Sequence, residues 1–178
     1  MDAFEAVVSM LLRHEGYWTV PSFRVELTPE EKQAIGRISS PRWEIDLLAY
    51  KGSTNEVLVI ECKSYLDSRG IVFRSGGFGA PKRFKLFVEA KVREVVLGRL
   101  VAQLVETGAC AKEPRVTLCL AAGNIVARCR KEIDNHFAAQ GWRLFGPEWV
   151  REHLKTASDR GYENDIAHIV AKLLLRDK

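Results

Sequence analysis

The chain has 178 residues, of which 47% are hydrophobic and 28% charged, and its formal net charge is +4. This length suits one domain built on a single core, and no apolar run approaches the roughly 18 residues that predict a membrane-spanning helix. The composition is that of an ordinary globular protein. Its mild basicity, with a pI of about 8.9, permits a nucleic-acid partner without establishing one.

Three features of the sequence bear on its compartment. The first twelve residues begin with acidic side chains and lack the basic segment of a signal peptide. Four cysteines lack CxxC spacing, which favours buried thiols in a reducing cytoplasm over a disulfide or zinc site: Cys62, Cys110, Cys119 and Cys129. Four histidines form no HExxH or His-x-His pair, so a zinc hydrolase is unsupported: His14, His136, His153 and His168. We predict a cytoplasmic protein with no membrane partner.

In chain order, an amphipathic helix is predicted over residues 2–14, followed by a strand over residues 17–27. Pro21 lies inside this strand, which predicts an edge or bulged strand. Thr28 and Glu31 have the spacing of a capping box, with Pro29 at the first helical position, and they predict a short helix that ends near Ile35. A loop then leads to residue 43.

Residues 43–64 have the pattern of a β-hairpin, because two apolar runs flank a polar turn over residues 51–56. The turn contains Gly52 and Asn55, two residue types that tolerate positive φ. With the turn centred between Ser53 and Thr54, Lys51 lies opposite Glu56 as an opposite-charge pair. The same register places Asp46 opposite Glu61, fifteen residues further along the chain.

Asp46, Glu61 and Lys63 therefore converge at one end of the hairpin, since residues two apart project from the same face of a strand. A hard cation such as Mg²⁺ prefers oxygen ligands and takes one or two carboxylates from a protein. The backbone carbonyl of Cys62 is a further candidate ligand. A lysine beside the metal can hold or deprotonate a water, and the metal stabilises charge that develops on a phosphate. The spacing fits metal-assisted phosphodiester hydrolysis.

The alternative is a structural cluster of ion pairs, because charged residues on a hairpin usually form a solvated face. The flanking residues argue against solvation, since both faces of the hairpin are mostly apolar. Tyr50, Leu48, Val59 and Val57 are predicted to share the face of Asp46, and the opposite face is predicted to carry Trp43, Ile45, Leu47, Leu58, Ile60 and Cys62. Charges at one end of a covered face need a partner.

The residues Ile45-Asp46 and Val59-Ile60-Glu61-Cys62-Lys63-Ser64 resemble the motif of the PD-(D/E)xK nuclease superfamily. Ile45 replaces the proline that gives the motif its first letter. The resemblance implies a restriction-endonuclease-like fold, with Asp46, Glu61 and Lys63 as catalytic residues and Mg²⁺ or Mn²⁺ as cofactor. Asp46, Glu61 and the Cys62 carbonyl would be the metal ligands. The family often adds a glutamate on the first helix, and Glu5 fits that role better than Glu15.

Beyond the hairpin, residues 65–82 are rich in turn residues and are predicted to be a mobile loop, either DNA-contacting or a plain connection. A long helix is predicted over residues 84–107, a strand over 115–121, a helix over 125–139 and a short strand over 142–145. Two further helices follow, the last capped by Asn164 or Asp165. The predicted fold is α/β, with a restriction-endonuclease-like core and a mixed central sheet flanked by helices. The whole chain, residues 1–178, would be one nuclease-like domain, with its core at about 1–145 and a C-terminal helical appendage at about 146–178.

Basic residues cluster directly after the hairpin. Between Ser64 and Arg99 there are eight basic residues and three acidic ones, and a polyanionic substrate requires such an excess beside a metal site. Five of them are the candidate nucleic-acid contacts: Arg69, Arg74, Lys82, Arg83 and Lys85. Whether Arg99, Gln103 or Glu44 also joins the site stays open.

The predicted function is hydrolysis of nucleic-acid phosphodiesters, with DNA as the favoured substrate. Two alternatives on the same fold stay open. One is a nucleic-acid-binding module with weak or lost cleavage. The other is a nuclease that needs a partner subunit or acts as a homodimer on branched DNA, since the chain carries no recognisable DNA-reading motif.

Overall fold

The protein, described by a computed structural model over residues 2–37 and 42–176, contains seven strands and seven helices in those ranges. The strands are β1 (Trp18–Val25), β2 (Trp43–Lys51), β3 (Glu56–Lys63), β4 (Phe73–Arg74), β5 (Gly77–Phe78), β6 (Arg115–Ala122) and β7 (Arg143–Phe145). The helices are α1 (Ala3–His14), α2 (Pro29–Ala34), α3 (Lys85–Val88), α4 (Ala90–Glu106), α5 (Arg130–Ala139), α6 (Pro147–Asp159) and α7 (Ile166–Leu175).

Five strands form the central sheet in the order β1-β2-β3-β6-β7. The pairs β1–β2 and β2–β3 are antiparallel, whereas β3–β6 and β6–β7 are parallel. The sheet is therefore mixed and lies in an α/β fold, as the sequence predicts. β1, which contains Pro21, is an edge strand, so this prediction is also confirmed. Proline has no backbone N–H to donate, which restricts it to such positions in a sheet.

The β2–β3 hairpin has the predicted register. Its paired residues run from Lys51–Glu56 to Leu47–Ile60, so that the numbers of each pair sum to 107. The turn is a 3₁₀ turn over Gly52–Thr54, and Asn55 closes it in the left-handed conformation with φ of 47°. The Asn55 side chain accepts a hydrogen bond from the Tyr50 hydroxyl and donates one to the Lys112 carbonyl. Asn55 therefore stabilises the turn through its left-handed backbone conformation and two side-chain hydrogen bonds.

We expect Asn55→Ala to lower the free energy of unfolding by about 1–2 kcal/mol, because alanine disfavours the left-handed conformation and removes both side-chain hydrogen bonds. Asn55→Gly is the matched control, since it loses the same hydrogen bonds but tolerates positive φ. Equilibrium denaturation in urea measures both variants. Equal losses of unfolding free energy in the two variants would contradict a contribution of the left-handed backbone conformation at residue 55.

The side chains of Lys51 and Glu56 do not follow the predicted ion pair, although their backbones are paired. The Lys51 ammonium donates to the Glu15 carbonyl at 2.8 Å, at the end of α1. The buried Glu56 carboxylate accepts from the Tyr17 hydroxyl at 2.6 Å and pairs with Arg115 at 2.8 Å. Both charges connect the hairpin to its neighbours rather than to each other.

Two apolar layers cover the sheet, one on each face. One layer contains Leu48, Val57 and Val59 and packs beneath α4 and α5; the other contains Leu47, Leu58 and Ile60 and packs beneath α1 and α6. The prediction of a hairpin covered on both sides is confirmed. α6 buries Val150 and Ala157 in the same layer as the apolar residues of α1, so the C-terminal helices share the core of the sheet.

The predicted faces of Trp43 and Ile45 are wrong. Both side chains lie in the layer of Leu48 rather than in that of Leu47. The β1–β2 pairing runs from Trp18–Tyr50 to Pro21–Leu47 and resumes at Phe23–Ile45, and Ser22 at the interruption has φ of 48°. Ser22 lies opposite Asp46 in this pairing. The regular alternation of β2 side chains between the two faces of the sheet is therefore interrupted at Asp46.

Two other predicted segments differ in the structure. The helix predicted over residues 84–107 is two helices, because Glu89 adopts an extended conformation and Arg93 donates to the freed carbonyls of Leu86 and Phe87. The segment predicted as a mobile loop contains the β4–β5 hairpin, and Phe73 and Phe78 of this hairpin are buried in the core. The segment between β3 and α3 is thus packed against the domain.

Within the described ranges, no helix combines the length and the apolar character that crossing a membrane requires.

Candidate active site

Three charged side chains meet at the end of the β2–β3 hairpin. The Lys63 ammonium lies 2.9 Å from Glu61 Oε1 and 3.8 Å from Asp46 Oδ2. All three side chains are partly buried, with 17–29% of each exposed. The structure therefore brings together the three residues that the sequence spacing predicts. The Lys63 ammonium pairs with both carboxylates.

Asp46 is held in place by the backbone of the neighbouring strand. Its Oδ2 accepts a hydrogen bond from the Cys62 N–H at 2.8 Å. The last backbone pair of the hairpin is Leu47–Ile60. Beyond this pair, the Asp46 carboxylate accepts the hydrogen bond that a backbone carbonyl of β2 would accept if the antiparallel pairing continued. The carboxylate is thereby fixed beside β3.

The backbone of Cys62 is directed toward β2, where Asp46 lies. In an extended strand, the N–H and the carbonyl of one residue point toward the same neighbour, and the Cys62 N–H points toward Asp46 on β2. The Lys63 carbonyl points the other way and accepts from the Gly123 N–H after β6. The Cys62 thiol is buried in the layer beneath α1, which raises its pKa, so only its backbone faces the site.

Gly123 fixes the chain directly after Lys63. A Cβ at this position would lie 2.2 Å from the Ser64 carbonyl oxygen, a distance that no relaxed contact permits. Only glycine therefore allows this close approach of the two strand ends.

We expect Gly123→Ala to lower the free energy of unfolding by about 1–3 kcal/mol, because the backbone of Ser64 must move to admit the methyl group. Gly98→Ala is the matched control. A Cβ at Gly98 meets no atom within 4 Å, and alanine in a helix is about 1 kcal/mol more favourable than glycine. Thermal and urea denaturation measure the stability of both variants. A Gly123→Ala protein as stable as the wild type would contradict the close approach of Gly123 to the Ser64 carbonyl.

The pKa values of both Glu61 and Lys63 are raised, but for different reasons. Burial raises the pKa of the Glu61 carboxyl and the negative charge of Asp46 adds to this, while Lys63 opposes both. For Lys63, burial lowers the pKa, but the charge and hydrogen bond of Glu61, with the charge of Asp46, outweigh burial and leave the pKa raised. The lysine is therefore held in its ammonium form while both carboxylates are near it.

Glu5 lies in the same neighbourhood and has a structural role of its own. Its carboxylate accepts from the Asp2 N–H at 3.0 Å, and its N–H donates to the Asp2 carboxylate, which together cap α1. Burial raises the pKa of Glu5, and the negative charges of Asp2 and Asp46 add to the increase. Glu5 is thus close enough to Asp46 to interact with its charge.

A polar groove of about 270 Å³ opens beside Asp46 and Glu61. Its lining includes Lys82, Arg83 and Lys85, three of the five predicted nucleic-acid contacts. Arg69 and Arg74 are exposed but are not among the residues that line the groove. The structure therefore divides the five basic residues into a group at the site and a group away from it.

Sequence reasoning missed two further basic residues of the groove, Arg37 and Arg42. The Arg37 guanidinium stacks over the Trp43 ring at 4.4 Å, and Arg42 pairs with Glu26 at 3.0 Å. Both flank residues 38–41, which lie outside the described ranges, as does most of the loop predicted before β2. Their proximity in sequence to Asp46 was the available signal.

The three residues left open by the sequence have other contacts. Gln103 binds the backbone of Arg24 and Glu26, and Arg99 donates to the Glu26 carbonyl, so α4 covers the end of the edge strand. Glu44 lines the groove and lies 4.0 Å from Arg24. Arg99 and Gln103 therefore have a structural role, and Glu44 lies at the site.

No family model matches this sequence, and neither a curated protein nor a solved structure matches it significantly.

Proposed function

We propose that this protein is a Mg²⁺- or Mn²⁺-dependent nuclease of the PD-(D/E)xK superfamily that hydrolyses DNA phosphodiester bonds. The observation that carries the proposal is the convergence of Asp46, Glu61 and Lys63 at one end of a central hairpin. Partly buried charges are costly unless they are paired or bind a ligand, and carboxyl groups with raised pKa values that line a groove are typical of functional sites.

The arrangement of the elements supports a restriction-endonuclease-like fold for this chain. A helix precedes three antiparallel strands, and helices alternate with parallel strands after them. The acidic residue and the acid-x-Lys motif lie at the adjacent ends of β2 and β3. This is the placement that the sequence motif implies.

The donor set suits a hard divalent cation. Oxygens of Asp46 and Glu61 lie close to one ammonium, so both are within reach of a single ion that takes a neighbouring position. With the Cys62 carbonyl they offer three oxygen donors, and Mg²⁺ usually completes its shell with water and substrate oxygens. Glu5 would bind a metal-bound water or complete the shell.

Lys63 would position the attacking water and stabilise negative charge on the phosphate. Its raised pKa favours the ammonium form, which donates hydrogen bonds but does not accept a proton. A bound cation between the carboxylates would offset the charge that raises this pKa. The metal supplies Lewis-acid activation of water and phosphate, and the lysine supplies orientation.

The basic groove supports a polyanionic substrate. Lys82, Arg83 and Lys85 line it together with Arg37 and Arg42, so five cationic side chains surround the two carboxylates. Phosphate groups attract such clusters without regard to sequence. The scissile phosphate would lie beside Lys63, with the flanking phosphates along the groove.

Cleavage assays on a substrate panel test this function. Duplex, branched and single-stranded DNA and single-stranded RNA are incubated with the protein in Mg²⁺, in Mn²⁺ and in EDTA. We expect metal-dependent cleavage of at least one DNA substrate. Stoichiometric metal binding without cleavage of any substrate would favour a binding module on the same fold.

A homodimer or a partner subunit remains a prediction. α7 exposes apolar side chains over much of its surface, a feature typical of interaction sites: Ile166, Val170, Leu173 and Leu174. Sedimentation velocity at several protein concentrations distinguishes a monomer from a homodimer.

A further inference from the structure

Two histidines and a glutamate meet at the opposite end of α1 from Glu5. His14 is the last residue of α1, Glu163 lies between α6 and α7, and His168 is in the first turn of α7. One nitrogen or oxygen atom from each lies within 4.8 Å of the other two. His14 lies nine positions after Glu5 on α1, which is about 14 Å along the helix axis, so this cluster is separate from the candidate active site.

The geometry within the cluster is close to that of metal ligands. His14 Nε2 lies 3.0 Å from Glu163 Oε2, and the rings of His14 and His168 meet edge to face with centroids 5.6 Å apart. Two ligand atoms of a tetrahedral zinc ion lie about 3.3 Å apart, given bonds of about 2.0–2.1 Å. A small movement of the side chains therefore suffices to surround one ion.

His168 supplies the observation that a simple ion pair does not explain. Its side chain is 0% exposed, and among the described residues neither Nδ1 nor Nε2 has a hydrogen-bond partner. An imidazole carries at least one N–H and, when neutral, one lone pair, and each buried polar group left unpaired costs about 1–3 kcal/mol. His14 Nδ1 is buried as well, and it too has no partner in the part of the chain that the structure describes. Of the four ring nitrogens of His14 and His168, one has a hydrogen-bond partner among the described residues: His14 Nε2, which contacts Glu163.

The composition of α7 makes this histidine more unusual. His168 and Ala171 are the buried residues of a helix that otherwise consists of apolar side chains and Lys172. An apolar residue at position 168 would pack without any polar cost. A partner for its ring nitrogens would remove this cost.

Neighbouring contacts hold the three ligands in place. Arg13 pairs with Asp165 at 2.9 Å, and Asp165 caps the start of α7. Lys172 donates to the Ser158 carbonyl at 3.0 Å and so joins α7 to the end of α6. These contacts fix the connection that carries Glu163 against the end of α1.

We propose that His14, Glu163 and His168 bind one Zn²⁺ ion, which joins the N-terminal helix to the two C-terminal helices. Two imidazoles and a carboxylate suit zinc, whereas Mg²⁺ prefers oxygen ligands alone. Glu163 is 48% exposed, which provides a path for the ion and room for a water as fourth ligand. The role is structural and does not depend on the proposed nuclease activity.

Calorimetric titration of the chelator-treated full chain with Zn²⁺ tests the proposal. We expect one high-affinity ion per chain, bound more tightly than any Zn²⁺ at the candidate active-site carboxylates, and a higher thermal midpoint in its presence. Glu163→Gln should weaken Zn²⁺ binding at least 10-fold. Since Glu163 is half exposed, this variant is expected to fold, and circular dichroism verifies that. His168→Gln should weaken binding to a similar or greater extent.

Two matched variants separate this site from other zinc ligands. His153 also pairs with a glutamate, Glu15 at 2.9 Å, but it lies outside the cluster, so His153→Gln should leave Zn²⁺ affinity unchanged. Asp46→Asn removes the carboxylate of the candidate active site and should also leave it unchanged. The proposal is overturned if no Zn²⁺ binds stoichiometrically. It is also overturned if binding persists in Glu163→Gln and is lost in Asp46→Asn.

Discussion

Replacement of Lys63 by methionine is expected to lower the cleavage rate by about 10²–10³-fold while Mn²⁺ binding is retained or strengthened. The ammonium lies 2.9 Å from Glu61 and 3.8 Å from Asp46, so it competes with a metal ion for the same carboxylates. Its loss removes this competition and also removes the group that orients the attacking water. The loss of one preorganised electrostatic group typically lowers the rate by about 10²–10³-fold. Single-turnover cleavage and Mn²⁺ titration measure the two effects separately.

Asp46→Asn is the counterpart of this variant, and it should lose both metal binding and cleavage. The amide can keep the contact with the Cys62 N–H, so the hairpin is expected to stay folded. Glu44→Gln, at an acid that also lines the groove, is the control and should keep most activity. A purely structural ion-pair cluster predicts otherwise, since Lys63→Met would then lower stability and leave any cleavage unchanged.

Removal of two basic residues from the groove is expected to weaken DNA binding far more than removal of two basic residues outside it. The Lys82→Gln/Arg83→Gln protein loses two charges beside the carboxylates, whereas the Arg69→Gln/Arg74→Gln protein loses two charges that do not line the groove. Both proteins have the same net charge. Any difference between them therefore reports the position of the charge.

Fluorescence anisotropy over a range of salt concentrations measures this difference. Each lost phosphate contact should reduce the slope of log affinity against log salt by about 1. The slope should therefore fall by up to about 2 for the Lys82→Gln/Arg83→Gln protein and hardly at all for the Arg69→Gln/Arg74→Gln protein. The measurements are made in the Lys63→Met background so that the DNA stays intact. Equal effects in the two proteins would contradict the assignment of the groove as the substrate site.

The hairpin was predictable because its determinants are local. The polar turn, the alternation of apolar residues from Leu47 onward and the 107 register follow from residues 43–64 alone, and the structure has that register from Lys51–Glu56 to Leu47–Ile60. The convergence of Asp46, Glu61 and Lys63 follows from it. The capping boxes of α1 and α2 depend on residues three apart, and the spacing from Thr28 to Glu31 was already visible in the sequence.

What the sequence could not predict depends on contacts between distant segments. The change of side at Asp46 accompanies the positive φ of Ser22 on another strand. The break at Glu89 is stabilised by Arg93, whose guanidinium reaches back to two carbonyls.

The His14–Glu163–His168 cluster joins residues about 150 positions apart. Motif spacing along the chain cannot reveal such a group, because the three side chains meet only after α7 packs on α1.

The most direct test of the nuclease proposal is a comparison of the wild type with the Asp46→Asn/Lys63→Met protein, purified identically, on the same DNA substrate in Mn²⁺. We predict that the wild type releases product at a rate proportional to enzyme concentration and that the double variant gives only background. Equal rates would assign the cleavage to a contaminating nuclease or to another part of the protein, and would contradict the assignment of Asp46, Glu61 and Lys63 as the catalytic centre.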